Sequence, residues 1–342
     1  MKIVNAMFGC GLGGIEQAIV DYSDALLRTG HEVHTVIHPK AKIRSALEKL
    51  PVSLHALPNF GAWDPIAILR LRNLLHKIKP DASIAHGNRA VSLLKHAATG
   101  PVIGVTHNYK IKCEGLSAIF CPTLDLTCYA EAEGVSEENI YLVPNMVRMP
   151  KICNERTRRT PPVIGSMGRF VAKKGFDVFI EALAIMKSHN ITFKAVLAGE
   201  GKEMESLKAL VAQHGLTDMV SLPGWAKDKQ AFFDAIDIFC LPSHHEPFGI
   251  VLLEAMAEGL PVLSTDSEGP SEIIHNNFDG IIVPKASPMA LAGGLIALLS
   301  DPDRARKLGR NAYDNVRDNY DVPVVSAKLD LALRDITARN PA

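Results

Sequence analysis

Short apolar runs alternate with segments of helical period along this chain; the alternation stops once and then begins again. Runs at 3–8, 33–37, 83–86, 102–106, 117–121 and 141–143 read as strands, and 15–28, 64–78, 89–97 and 124–133 read as helices. The second series has strands at 163–168, 193–198, 220–222, 236–241 and 261–264 and helices at 175–188, 203–214, 229–235, 288–299 and 302–319. Strands alternating with helices predict parallel βαβ units. The break, PKICNERTRRTPP at 150–162, is polar, charged and ends on prolines, the composition of a linker. The expected architecture is α/β, with Rossmann-like domains at 1–149 and 163–320, a linker at 150–162 and a terminal segment at 321–342. The active site of such a pair belongs at the carboxyl ends of both sheets, facing across a cleft that closes by hinge motion at the linker.

A length of 342 residues fits two domains, and 47% hydrophobic with 22% charged residues describes a globular chain with real cores. Zero net charge gives no sign of a nucleic-acid partner. The six cysteines form no C-x-x-C pair and no zinc spacing, so reduced thiols are expected. No signal peptide and no run of roughly 20 apolar residues is visible. A cytoplasmic protein is the expectation.

The richest chemistry lies in CLPSHHEPFGIVLLEAMAEGLPVLSTDSEGPSEII, residues 240–274. A strand ends there, a polar turn follows, and a helix begins around Phe248, Gly249 and Ile250. A helix start of this kind offers backbone N–H groups to an anion. Glu246 and Glu254 flank it. Carboxylates suit hydroxyls rather than phosphate, because they only accept. The residues suggest a nucleotide-sugar, with Glu246 on the sugar, the Gly249 helix start at the diphosphate and Glu254 on the ribose, against the alternative that both are helix-terminal or surface carboxylates without a ligand.

The string S-x-x-E-P-F-G-x-x-x-x-E at 243–254, followed by A-x-x-x-G-x-P-V at 255–262, resembles the retaining glycosyltransferases of family 4, which have the GT-B fold. The resemblance implies a metal-independent hexosyltransferase that takes a UDP- or GDP-sugar and serves cell-surface polysaccharide or lipopolysaccharide synthesis. Its acceptor would be a glycan or a lipid-linked precursor, with possible peripheral contact at the inner membrane face. Lys40, Lys42, Arg44 and Lys49 are the basic candidates for that contact, against the alternative of a solvated face. GRFVAKKG at 168–175 is similar to the family's G-R-x-x-x-x-K-G, whose Arg and Lys, here Arg169 and Lys174, grip the diphosphate. Charge growing on the leaving group needs a cationic partner, and here two side chains would supply it in place of a metal. The single D-x-D, Asp301 to Asp303, precedes a helix and suits N-capping. No cofactor or metal is expected.

Gly199 and Gly201 stand where the family has its L-x-G-x-G beside the nucleoside, and Trp225 stands near the base, either stacking or packing. Glu268 replaces the first glycine of the family's G-G-x-x-E turn. In the first half, Gly9, Gly11 and Gly14 spell G-x-G-x-x-G, but the second strand ends His38-Pro39 without the acid that a dinucleotide ribose requires. The resemblance instead places Gly13 and Gly14 against the donor. Glu16 either caps the helix or meets the acceptor. His107 resembles the family histidine near the transferred sugar, placed to donate to a hydroxyl or a developing charge, and His86 is a second strand-end candidate; a structural histidine is the alternative for each. The terminal segment would cross back to the first domain. Rival readings are a nucleotide-sugar 2-epimerase, which isomerises without acceptor, and a silent sugar-nucleotide binder.

Overall fold

Six residues, KIVNAM, form β1 (Lys2–Met7), and five of the six are buried because helices cover both faces of the sheet they enter. The computed structural model describes residues 1–11, 13–150 and 158–340, so most of the expected linker lies outside the described residues. The chain divides into two units, residues 1–146 with 320–342, and residues 147–319.

The first unit continues with β2 (Glu32–Ile37), β3 (Ser53–Ala56), β4 (Ala82–His86), β5 (Val102–Val105), β6 (Ala118–Cys121) and β7 (Ile140–Leu142). Its order is β3-β2-β1-β4-β5-β6-β7, every pair parallel. Asp64 starts the helix Pro65–Ile78 by accepting from the N–H groups of Ile66 and Ala67, at 3.0 Å each. Residues 322–339 form a helix, and its Val325, Leu329, Leu333 and Ile336 share one buried cluster with Tyr22 and Leu26.

The second unit holds β8 (Val163–Met167), β9 (Lys194–Ala198), β10 (Val220–Gly224), β11 (Ile238–Leu241), β12 (Val262–Thr265) and β13 (Ile281–Val283). Its order is β10-β9-β8-β11-β12-β13, also all parallel. Both sheets reverse direction beside their first strand, at β1/β4 and at β8/β11. Loops leaving the carboxyl ends at such a point diverge and open a crevice. β11 starts at Ile238 rather than 236, because Asp237 is turned out to accept from Val163 N–H at 2.7 Å and Arg159 N–H at 3.2 Å. Among the described residues no helix is long and apolar enough to cross a membrane.

Candidate functional site

Both basic and acidic motifs of the second unit sit at its switch point. The 168–175 loop leaves β8, and the 242–249 loop leaves the adjacent β11. The carbonyl of Lys173 accepts from the N–H groups of His244 and His245, at 2.9 and 3.2 Å. Gly175 makes this approach possible: its φ is +63°, and a Cβ there would lie 2.1 Å from the Pro242 carbonyl oxygen. Lys174 Nζ consequently donates to Glu246 Oε2 in an ion pair whose side chains are 15% and 11% exposed. Arg169 is exposed, and no ion pair to it occurs among the described residues.

Glu268 does something that the sequence did not suggest. Its Oε2 accepts from Glu246 N–H at 3.0 Å and its Oε1 lies 2.9 Å from His245 Nδ1. Burial alone would raise its pKa, but its own N–H, His245 and the Glu246 N–H outweigh that and hold it below the usual carboxylate range. The neighbouring Gly269 N–H donates to the Glu246 carbonyl at 2.9 Å, and a Cβ on Gly269 would fall 2.3 Å from Phe248 Cα. The 267–270 turn therefore fixes the backbone of Glu246. Eight residues on, Glu254 Oε1 accepts from Lys229 Nζ at 2.5 Å, while Oε2 is buried without a hydrogen bond among the described residues. A buried carboxylate oxygen left this way is an open acceptor position.

Gly249, with φ +101°, begins the helix Ile250–Ala257, and Phe248 before it is buried. Gly199 and Gly201 have a structural reason of their own. A Cβ on Gly199 would meet Gly168 O at 1.9 Å, and one on Gly201 would meet Phe170 O at 2.2 Å. They let the loop after β9 pack against the arginine loop. Trp225 is half-buried just beyond β10, at the sheet edge. Asp301 Oδ1 accepts from Arg304 N–H at 2.9 Å, which is the capping geometry expected of it.

In the first unit, Gly13 and Gly14 start the helix Gly14–Arg28. The Glu16 carboxylate folds back over the glycine loop, where a Cβ on Gly9 would lie 2.9 Å from it. Glu16 makes no hydrogen bond among the described residues, so it contributes its charge near the helix start rather than a capping bond. Arg89 Nη1 donates to Phe8 O at 3.2 Å and ties the loop to the helix after β4.

His86, at the end of β4, and His107, just after β5, are brought together, with Nδ1 of His86 3.0 Å from Nε2 of His107. His86 Nε2 lies 2.9 Å from Asn5 Oδ1, in the middle of β1. A polar residue inside the apolar run KIVNAM was the available signal for Asn5. Burial, then the neighbouring His107, pushes His86 well below the ordinary imidazole value, and burial takes His107 down to about 4. The unfolded chain therefore binds these protons first as pH falls. The His107 contribution to stability is complete above about pH 6.5 and is lost progressively toward pH 4, at no more than about 1.4 kcal/mol per pH unit, and that of His86 is lost in the same direction. Wild type should lose more of its thermal midpoint between pH 7 and pH 5 than His107→Gln does. Equal losses would contradict the burial assignment.

Residues 12–151 match the Glycosyltransferase Family 4 family and residues 151–315 match Glycosyl transferases group 1. The chain is 28% identical, over 92% of its length and 94% of the relative's, to the lipopolysaccharide core biosynthesis glycosyltransferase LpsE of Rhizobium meliloti (strain 1021). It is 27% identical to LpsD of the same strain, over 99% and 100%. Among solved structures, Anabaena Alr3699/HepE in complex with UDP superposes with a TM-score of 0.84 at 18% identity, covering 98% of this chain and 100% of that one. The likeness shows two Rossmann-like parallel-sheet domains of the GT-B class. Two adjoining matches that run from residue 12 to residue 315, and relatives aligned end to end, identify the chain as a glycosyltransferase belonging to family 4.

Proposed function

We propose that the protein transfers a hexose from a nucleotide-diphosphate sugar, with retention of configuration and without a metal, to a glycan or lipid-linked acceptor in lipopolysaccharide or surface-polysaccharide synthesis. The observation that carries this reading is that the loops bearing Arg169, Lys174 and the Gly249 helix start leave the adjacent strands β8 and β11, with Lys174 held against Glu246. An anion of diphosphate charge fits there. The buried free oxygen of Glu254 supplies an acceptor for a ribose hydroxyl, and Glu246 supplies one for the sugar. In the first unit the charge of Glu16 over the glycine loop favours hydroxyls at Gly13 and Gly14 over phosphate. The end-to-end relatives named for lipopolysaccharide core synthesis support the pathway, and the UDP complex of a structural neighbour supports the donor class.

A thermal-shift panel of UDP-, GDP- and ADP-sugars, followed by NMR of the product anomer with and without chelator, tests the reading. One sugar nucleotide should stabilise the protein, its anomeric configuration should survive transfer, and turnover should persist in EDTA. An inverted product, or activity lost in EDTA and restored by Mn²⁺, would contradict it.

For contact with an anionic membrane, an exposed apolar patch on another segment is a second candidate beside Lys40, Lys42, Arg44 and Lys49. Ala41, Ile43 and Leu47 are buried in a cluster with Met7, Ile19 and Ile37, so that segment exposes Lys40, Lys42, Arg44 and Lys49 together with Ser45 and Glu48. Phe60 is fully exposed, Trp63 is 71% exposed, and Ile66 and Leu69 continue the patch along one helix face beside exposed Arg70. Aromatic and aliphatic side chains next to cations suit an anionic bilayer surface. Removing one such side chain costs about 2 kcal/mol of burial, so Phe60→Ser should weaken binding to phosphatidylglycerol-containing vesicles roughly thirty-fold in co-sedimentation. Unchanged partitioning would remove this surface from the account.

A further inference from the structure

The buried polar chain ending at His107 has a direction, fixed one proton at a time. The carbonyl of Ile19 can only accept, so the Asn5 atom 3.1 Å from it is Nδ2. Ser23 Oγ donates its single proton to the same carbonyl at 2.8 Å, and therefore accepts from Asn5 Nδ2 at 3.0 Å and from Thr35 Oγ1 at 3.2 Å. Asn5 Oδ1 is then turned toward His86. An amide oxygen has no proton to give, so His86 Nε2, 2.9 Å away, carries one. His86 is buried beneath the edge-on ring of Tyr22. There it stays neutral, so its Nδ1 is a bare lone pair. The proton in the 3.0 Å contact between the two rings must come from Nε2 of His107. A neutral imidazole has one N–H, and His107 has just used it.

We infer that Asn5 and His86 are positioning residues that hold His107 in its Nε2-protonated tautomer, with Nδ1 presented as a hydrogen-bond acceptor for a substrate hydroxyl. Nδ1 makes no hydrogen bond among the described residues. The inference rests on the reading that His107 meets the substrate, and it reverses the polarity that the sequence suggested. Instead of donating to a developing charge, His107 selects a group that has a proton to give. A hydroxyl qualifies; a phosphate oxygen does not. The outer ring nitrogen thus contributes to recognising the sugar, and the residues that set its state lie on β1 and β4, away from the ligand.

Nitrogen-15 NMR of histidine-labelled protein tests the relay without turnover, with His107 assigned from the spectrum of His107→Gln. Wild-type His107 should show a protonated Nε2 and an imine-type Nδ1. His86→Phe keeps the ring volume and removes both nitrogens, so the two tautomers of His107 should mix. The kinetic arm uses monodeoxyfluoro analogues of the sugar nucleotide turned over in the panel above. Fluorine accepts weakly and donates nothing, so wild type should discriminate against one analogue by roughly ten-fold in kcat/KM, the worth of one hydrogen bond. His86→Phe should lose most of that discrimination. A protonated Nδ1 in wild type, or an unchanged tautomer and unchanged discrimination in His86→Phe, would overturn the inference. Wild-type kinetics in His107→Gln would overturn the contact with substrate alone, because the NMR result stands apart from it.

Discussion

Lys174→Ala should lower kcat roughly a thousand-fold, the scale of removing a preorganised charge from a developing anion. Nucleotide affinity should fall much less, because Arg169 and the helix start remain. The substitution also leaves Glu246 without its counter-ion in a site where both side chains are mostly buried. Breaking a buried pair from one side costs about 3–5 kcal/mol; partial exposure places this pair at the low end. Stability and catalysis can be separated by the double variant Lys174→Ala/Glu246→Gln. It removes the unpaired charge, so its thermal midpoint should recover, while its turnover should stay far below that of Glu246→Gln alone, the variant that carries only the loss of the sugar contact. If turnover recovered with stability, Lys174 would be a structural partner of Glu246 and nothing more.

Gly175→Ala should be among the most damaging single-carbon changes in the second unit. Two effects act together. An alanine at φ +63° carries a left-handed strain of about 1–2 kcal/mol. Its Cβ would also sit 2.1 Å from the backbone oxygen of Pro242, which cannot swing away as a side chain can. Relief requires the two loops to part, for a total of roughly 3 kcal/mol or more, or about 10 °C in melting temperature. Parting them also breaks the Lys173 carbonyl bonds to His244 and His245 and withdraws Lys174 from Glu246, so turnover should fall with stability. Gly30→Ala is the control. Its φ is +78°, but nothing lies within 4 Å of the added carbon, so strain acts alone and the loss should be about 4 °C. Equal losses in the two variants would mean that the loop contact is not what the glycine serves.

Most elements were legible because period and punctuation agreed. The helix Pro65–Ile78 shows its Asp cap and N1 proline in the sequence, and the loops after β8 and β11 carry long motifs. The strands not anticipated, β3 and β13, are short edge strands of four and three residues. Few residues and one neighbour leave little pattern to read. The candidate site was legible where one segment contains it, as with the proposed Glu246, Gly249 and Glu254. It was hidden where partners come from distant strands. Nothing in the sequence joins Lys229 to Glu254, and Glu268 stood out as a departure from glycine before its carboxylate was seen holding Glu246 N–H. Asn5, His86 and His107 meet only because β1, β4 and β5 are neighbours in the sheet.

A crystal structure with the intact sugar nucleotide tests the central claim most directly. The pyrophosphate oxygens should lie within hydrogen-bond reach of the Arg169 guanidinium, Lys174 Nζ and the backbone at Gly249. A diphosphate bound away from these groups, or held by a divalent ion with Lys174 still turned to Glu246, would contradict it.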